Sequence, residues 1–117
     1  MEKFLVLGEA LTDCVITGEV MTETPGGSPM NVAIGLARLD HEVTMATRYG
    51  SDSRGVAIAN HLSQSGVALI AEGNQAARTS SAQATIAADG SADYVFEFVV
   101  IADVSFDKWD LDVVLCA

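Results

Sequence analysis

Hydrophobic and polar positions along this chain change period several times, and each change predicts an element. Lys3 to Leu7 is a run rich in Phe, Leu and Val that stops at Gly8-Glu9, which predicts a short buried strand. Ala10 to Thr17 mixes apolar and β-branched residues and predicts a second strand, or a bent continuation, that carries Asp13 outward. Gly18 to Thr24 reads as a polar turn and an extended arm, because the residue before Pro25 avoids the helical region. From Ser28 the period becomes helical. Ser28 suits an N-cap and Pro29 the first helical position, and the helix runs to about Leu39. Met30, Ala33, Ile34 and Ala37 form one apolar stripe, while Val32, Leu36 and Leu39 cover another side, so this helix is expected to lie buried between layers. Gly35 within it costs about 1 kcal/mol relative to alanine, and its expected reason is close packing against a strand.

Asp40-His41 is a turn, and Glu42 to Arg48 alternates as a strand does. Tyr49 to Asp52 is a loop. Asp52 or Ser53 caps a second helix to about Ser65, with Val56, Ala59 and Leu62 inward, and Gly66 ends it. Val67 to Ala71 is a further strand. Strand, helix, strand, helix, strand implies a mostly parallel sheet with helices packed on it. The pattern then changes. Thr79 to Ala88 and Ala92 to Val100 are strands joined by the hairpin turn Asp89-Gly90. Tyr94, Phe96 and Phe98 fall on one face of the returning strand, and Val95, Glu97 and Val99 on the other. This hairpin is expected to project from the main sheet. Asp103 to Asp110 is an acidic loop, and Leu111 to Cys116 a buried strand that either closes a sheet edge or leads into further chain.

The 117 residues suffice for one domain, and a half-hydrophobic composition excludes a disordered chain. No apolar run is long enough to span a membrane, and the start lacks the pattern of a signal peptide, so the expected location is cytoplasmic with no membrane partner. A net charge of −10, from 16 acidic and 6 basic residues, argues against a nucleic-acid partner. It does not exclude a phosphate ligand, because a local nest of N–H groups can override the overall sign. Cys14 and Cys116 lack zinc spacing and are expected to be reduced, buried thiols, and His41 and His61 are isolated. There is no Ser-His-Asp or Cys-His constellation and no phosphate-loop motif of the G-x-x-x-x-G-K-[ST] type.

Candidate chemistry concentrates at Pro25-Gly26-Gly27-Ser28-Pro29-Met30-Asn31. A glycine pair opens onto a helix start, where unpaired N–H groups carry partial positive charge. The missing Cβ atoms let backbone approach a ligand closely.

Together with Gly8-Glu9-Ala10-Leu11-Thr12-Asp13 and Tyr49-Gly50-Ser51-Asp52-Ser53-Arg54-Gly55, this segment resembles the N-terminal part of the ribokinase-like (PfkB) carbohydrate kinases, most closely the fructokinase type. The resemblance runs from the first strand to the last. It implies an α/β sandwich with a mostly parallel sheet and a small β lid, incomplete at its C-terminus. Residues 1–117 would be the substrate-side portion of a sugar kinase domain, with lid strands near 11–24 and 79–100. The lid would close over a sugar and form a homodimer contact. The implied reaction is transfer of the γ-phosphate of ATP to a sugar hydroxyl, with Mg²⁺. By position, Asp13 would bond sugar hydroxyls, Gly26 and Gly27 would admit the sugar to the backbone, and Asn31 would contact it. Arg78 is a further substrate candidate, and Phe96 or Phe98 could line the sugar.

A Gly-Ala-Gly-Asp-type segment, which carries the family's catalytic base and anion hole, does not occur here, so no catalytic or nucleotide-binding residue is assigned. The chain alone is therefore expected to be inactive. One alternative is a truncated, non-catalytic sugar-binding or dimerising module. A dinucleotide-binding domain is disfavoured, because Gly8-Glu9-Ala10-Leu11 replaces G-x-G-x-x-G after the first strand.

Overall fold

The computed structural model describes residues 2–70, 75–76, 78–98 and 113–116. The chain first builds β1 (Lys3–Leu7), β2 (Leu11–Thr17), β3 (Val20–Gly26), α1 (Ser28–Arg38), β4 (Glu42–Ala46), β5 (Tyr49–Gly50) and α2 (Ser53–Gln64). It continues with β6 (Ala68–Leu69), β7 (Gln75–Ala76), β8 (Ser80–Ile86), β9 (Ala92–Glu97) and β10 (Val113–Cys116). Two four-stranded sheets result, ordered β10-β1-β4-β6 and β3-β2-β8-β9, and β5 pairs with β7 in a small parallel ribbon.

All pairings of the first sheet are parallel, as the alternation of strands and helices requires. Phe4 and Val6 stand beside Val43 and Met45 in the register of β1 and β4. This face meets Met30, Ala33 and Ile34 of α1 and Ile58 and Leu62 of α2, and together they form the core. Leu5, on the opposite face of β1, is fully buried too. A central strand covered on both faces explains why β1 is a continuous apolar run rather than an alternating one.

The second sheet is mixed. β2 pairs antiparallel with β3 through the Gly18-Glu19 turn, and β8 pairs antiparallel with β9 through Asp89-Gly90, where Gly90 has φ 86°. The two hairpins join by the parallel pairing of β2 with β8. The segment Gly18 to Thr24, expected as a polar turn and an extended arm, is the turn and most of a full edge strand that runs on to Gly26.

Several local expectations need correction. The N-cap of α1 is Gly27, with φ 104°, and Ser28 is the first helical residue. Val32 is 40% exposed and Leu39 is 70% exposed, so α1 buries one stripe rather than most of its circumference. Gly35 faces open space, and a Cβ added there meets nothing, so close packing does not account for it. In α2 the inward residues are Gly55, Ile58 and Leu62, whereas Val56 is exposed. The Asp103–Asp110 loop, Ala71, and the start of the last strand at Leu111 lie outside the described residues. No described helix is long and apolar enough to cross a membrane.

Candidate functional site

The carboxyl end of β1 is where the two sheets meet. Gly8 N–H donates to the Ala46 carbonyl at 3.4 Å, and Ala10 N–H donates to the buried Thr47 Oγ1 at 3.1 Å. These bonds tie the chain leaving β1 to the end of β4 and fix the direction in which β2 departs. Gly27 lies against that same bend. A Cβ on Gly27 would stand 3.1 Å from the Glu9 carbonyl oxygen and 3.5 Å from Leu11 Cγ. Its φ of 104° is also a conformation that only glycine adopts without strain. The start of α1 is therefore pressed onto the end of β1, its first-turn N–H groups at the mouth of the parallel sheet. In open α/β sheets ligands bind outside the carboxyl ends of the strands.

Asp13 is brought to this mouth. In β2, odd-numbered residues share one face of the second sheet, and Asp13 is exposed on it. Its carboxylate reaches so close to Gly26 that a Cβ on that residue would overlap Asp13 Oδ2. The structure thus brings Asp13, Gly26 and Gly27 together. Asn31, exposed in the first turn of α1, donates its backbone N–H to the Gly27 carbonyl at 3.0 Å. Arg78 is paired on the opposite face: its guanidinium lies 3.5 Å from Glu97, the last residue of β9, in the register row next to that of Asp13, with both side chains more than half exposed.

The register adds a feature. Thr24, Asp13, Ala82 and Phe96 form one row across all four strands of the second sheet. Alanine is small, so Asp13 and Phe96 flank a low floor. Phe96 stacks between Tyr94 and Phe98, with ring centroids 6.0 and 5.8 Å apart and planes nearly parallel. All three rings are more than half exposed.

The opposite face is secured to α2. The N-cap Asp52 accepts the Gly55 N–H at 2.8 Å, the Thr79 hydroxyl at 2.5 Å and the Thr79 N–H at 3.2 Å. The same Thr79 hydroxyl accepts the Gly50 N–H at 3.0 Å. The bond from the Thr79 hydroxyl, followed by those from the two backbone N–H groups, holds the Asp52 carboxyl below the usual aspartate range. A Cβ on Gly55 would overlap the Gly50 carbonyl, which is why this turn needs glycine there. Further along, Arg54 binds Glu23 of β3 through Nε at 3.0 Å and a terminal nitrogen at 2.5 Å, and this depresses the Glu23 carboxyl. Burial pushes the neighbouring Cys14 thiol up. Asp52 was legible as a helix cap. Its partner Thr79 and the Glu23–Arg54 pair were not, because nothing local marks contacts 27 and 31 residues apart.

A family model for pfkB family carbohydrate kinases matches residues 1–114. The chain belongs to this family. A probable fructokinase-4 of Arabidopsis thaliana is 34% identical over 131 aligned residues, which take in 99% of this chain and 40% of that protein. The fructokinase of Klebsiella pneumoniae is 32% identical across 93% of this chain and 36% of its own length. Among solved structures, a carbohydrate kinase from Agrobacterium tumefaciens superposes with a TM-score of 0.73 at 29% identity, over 83% of this chain and 36% of that one. The α/β fold with its mostly parallel sheet is thus that of ribokinase-like carbohydrate kinases. The chain spans about two-fifths or less of the length of these relatives. PfkB kinases use ATP. Among the described residues no group of three or more His, Cys, Asp or Glu side chains could hold a metal ion.

Proposed function

We propose that this chain is the sugar-binding side of an ATP-dependent carbohydrate kinase of the fructokinase type, with the second sheet as its lid. The observation that carries the reading is the pairing of Asp13 with Gly26 beside the Gly27 cap of α1. A carboxylate accepts bonds from sugar hydroxyls. Gly26 leaves room for the Asp13 carboxylate and Gly27 lets the α1 N-terminus close on the end of β1, and Asn31 supplies a further polar group one turn into α1. Phe96, across Ala82 from Asp13, offers an apolar surface to the C–H face of the ring. A mostly apolar wall with a few convergent polar groups is how small polar ligands are held and oriented. In the complete enzyme these residues fix which hydroxyl faces the nucleotide. ATP and Mg²⁺ supply the phosphoryl group and its charge neutralisation, and their binding groups belong to the whole protein.

Titration of the chain with D-fructose by calorimetry tests this. Asp13→Ala is expected to weaken binding by roughly 10- to 100-fold, the worth of hydrogen bonds to a charged group. Equal affinity in the variant removes Asp13 from the site. No ADP release is expected from the chain alone with Mg-ATP and sugar, and its detection would place catalytic groups within these residues.

The exposed rings of Tyr94, Phe96 and Phe98, with Val15 and Val20 on the same face, support a second element of the reading: self-association through the lid.

A further inference from the structure

The first turn of α2 touches the second sheet at two places of opposite character. One is the knot of Asp52, Thr79 and Gly50 at the entrance to β8. Thr79 is 4% exposed there, and three bonds converge on the two carboxylate oxygens of Asp52. Backbone is packed so closely that a Cβ on Gly50 would lie 3.0 Å from Arg78 Cα. The other is the ion pair of Arg54 with Glu23 on β3. Both guanidinium bonds fall on one carboxylate oxygen, Oε1, and the two side chains remain 31% and 38% exposed. The knot is a fixed point, whereas the ion pair is open to water and salt.

Between sheet and helix lies a half-open cleft of about 220 Å³, lined by Thr12, Thr24, Pro25, Ser53 and Ala57 together with the ion pair itself. The sheet is therefore not packed solid against α2 at this point. The ion pair bridges the gap. Glu23 stands opposite Cys14 in the β2–β3 register, and the Cys14 thiol donates to the same Oε1 at 3.8 Å. Cys14 is the neighbour of Asp13, whose side chain points to the other face. Whatever holds Glu23 to α2 therefore also restrains the sheet that carries Asp13, beyond the bend at Gly8 to Ala10.

We propose that Arg54 and Glu23 form a breakable latch that fixes the angle of the second sheet about the Asp52–Thr79 knot, and so act as positioning residues for Asp13. The positioning role rests on the sugar-binding reading above. The mechanical role does not. With the latch made, the second sheet, and Asp13 with it, is held at a fixed angle to α2 and the α1 N-terminus. With it broken, the cleft leaves the sheet free to turn at this edge while the knot keeps it attached.

Residual dipolar couplings on the full 117-residue chain test the latch directly, because they report the orientation of one sheet relative to the other. The wild type is expected to fit a single alignment for both sheets. Glu23→Gln and Arg54→Gln are each expected to lower the apparent order of the second sheet relative to the first. The charge-reversed double variant Glu23→Arg/Arg54→Glu is expected to restore it, a rescue that simple loss of packing would not give. High salt on the wild type should imitate the single variants without any mutation. Unchanged couplings in both single variants overturn the latch. D-Fructose affinity, measured on the same samples, tests the positioning role. The single variants should bind about two- to fivefold more weakly, the range of an exposed ion pair, and the reversed pair should recover. Altered couplings with unaltered affinity overturn positioning. A wild type that binds no D-fructose overturns the sugar reading and the positioning role with it, and the couplings still decide the latch.

Discussion

The two sheets are built from strands of similar residue types, yet they use them oppositely. In the parallel sheet, Leu5, Val6 and Met45 are fully buried, and core side chains from both helices close on one face. In the second sheet, Val15, Val20, Met21, Tyr94, Val95 and Phe96 are each at least 41% exposed. The first sheet spends its apolar side chains on stability. The second holds them at the surface, with Val15, Val20, Tyr94 and Phe96 on the face that carries Asp13. The difference teaches where to look for function in this fold: an apolar residue in the first sheet is explained by its neighbours, and one in the second needs a ligand or a partner. The second sheet can be exposed because it is not self-supporting. Its position depends on the α2 contacts at Asp52 and Arg54 and on the bend at Gly8 to Ala10.

The sharpest way to break the comparison is to remove the same kind of side chain from each sheet. Met45→Ala, in the core, is expected to destabilise the chain by about 2–5 kcal/mol in urea unfolding, from lost transfer energy and the cavity left behind. Phe96→Ala removes a larger side chain from the second sheet but should cost well under half as much. If the two cost the same, the second sheet is not the loosely held surface described here.

A smaller effect is expected where the sheets are joined. Asparagine caps helices about as well as aspartate, so Asp52→Asn spares the α2 cap. It places an NH₂ group where the Thr79 N–H or hydroxyl now donates, and a loss of about 1 kcal/mol is expected at neutral pH. The sign with pH follows from the depressed Asp52 pKa. Its contribution is complete above the ordinary aspartate range and is lost as pH falls through the lower native value. The gap between wild type and Asp52→Asn should therefore close in acid. A gap that is constant down to strongly acidic pH would show that the carboxylate charge is not what ties β8 to α2.

How much of this was legible in the chain follows the same division. The first sheet was readable because its signals are local: an apolar run at Lys3 to Leu7, a helical stripe at Met30, Ala33 and Ile34, and glycine after α2. Errors arose where burial depends on what lies opposite. The apolar period of α1 predicts a second buried stripe, but nothing in α1 itself says whether a layer covers Val32 and Leu39. In α2 the inward face begins at Gly55, which carries no hydrophobic weight, so the phase slipped to Val56. β3 was under-read because Thr22, Glu23 and Thr24 are polar on both faces of an edge strand, and only pairing with β2 makes them a strand. Asp13, Gly26, Gly27 and Asn31 stood out through motif and spacing. Their geometry comes from contacts that no local pattern encodes, such as Thr47 with Ala10 and Glu23 with Arg54.

The smallest expected effect concerns what covers the exposed face. Tyr94, Phe96 and Phe98 form a continuous apolar stripe on an edge strand, and such a strand invites pairing with another chain. If a second copy covers this stripe, folding is coupled to association, and thermal stability must rise with protein concentration. For a chain of this size the expected rise in Tm is roughly 2–4 °C per tenfold increase in concentration. Phe98→Ser should flatten that dependence and shift the sedimentation coefficient toward the monomer. A Tm independent of concentration, with a monomer in sedimentation, would assign the stripe to ligand contact alone, and the contrast between the sheets would then be one of scaffold and sugar site rather than scaffold and interface.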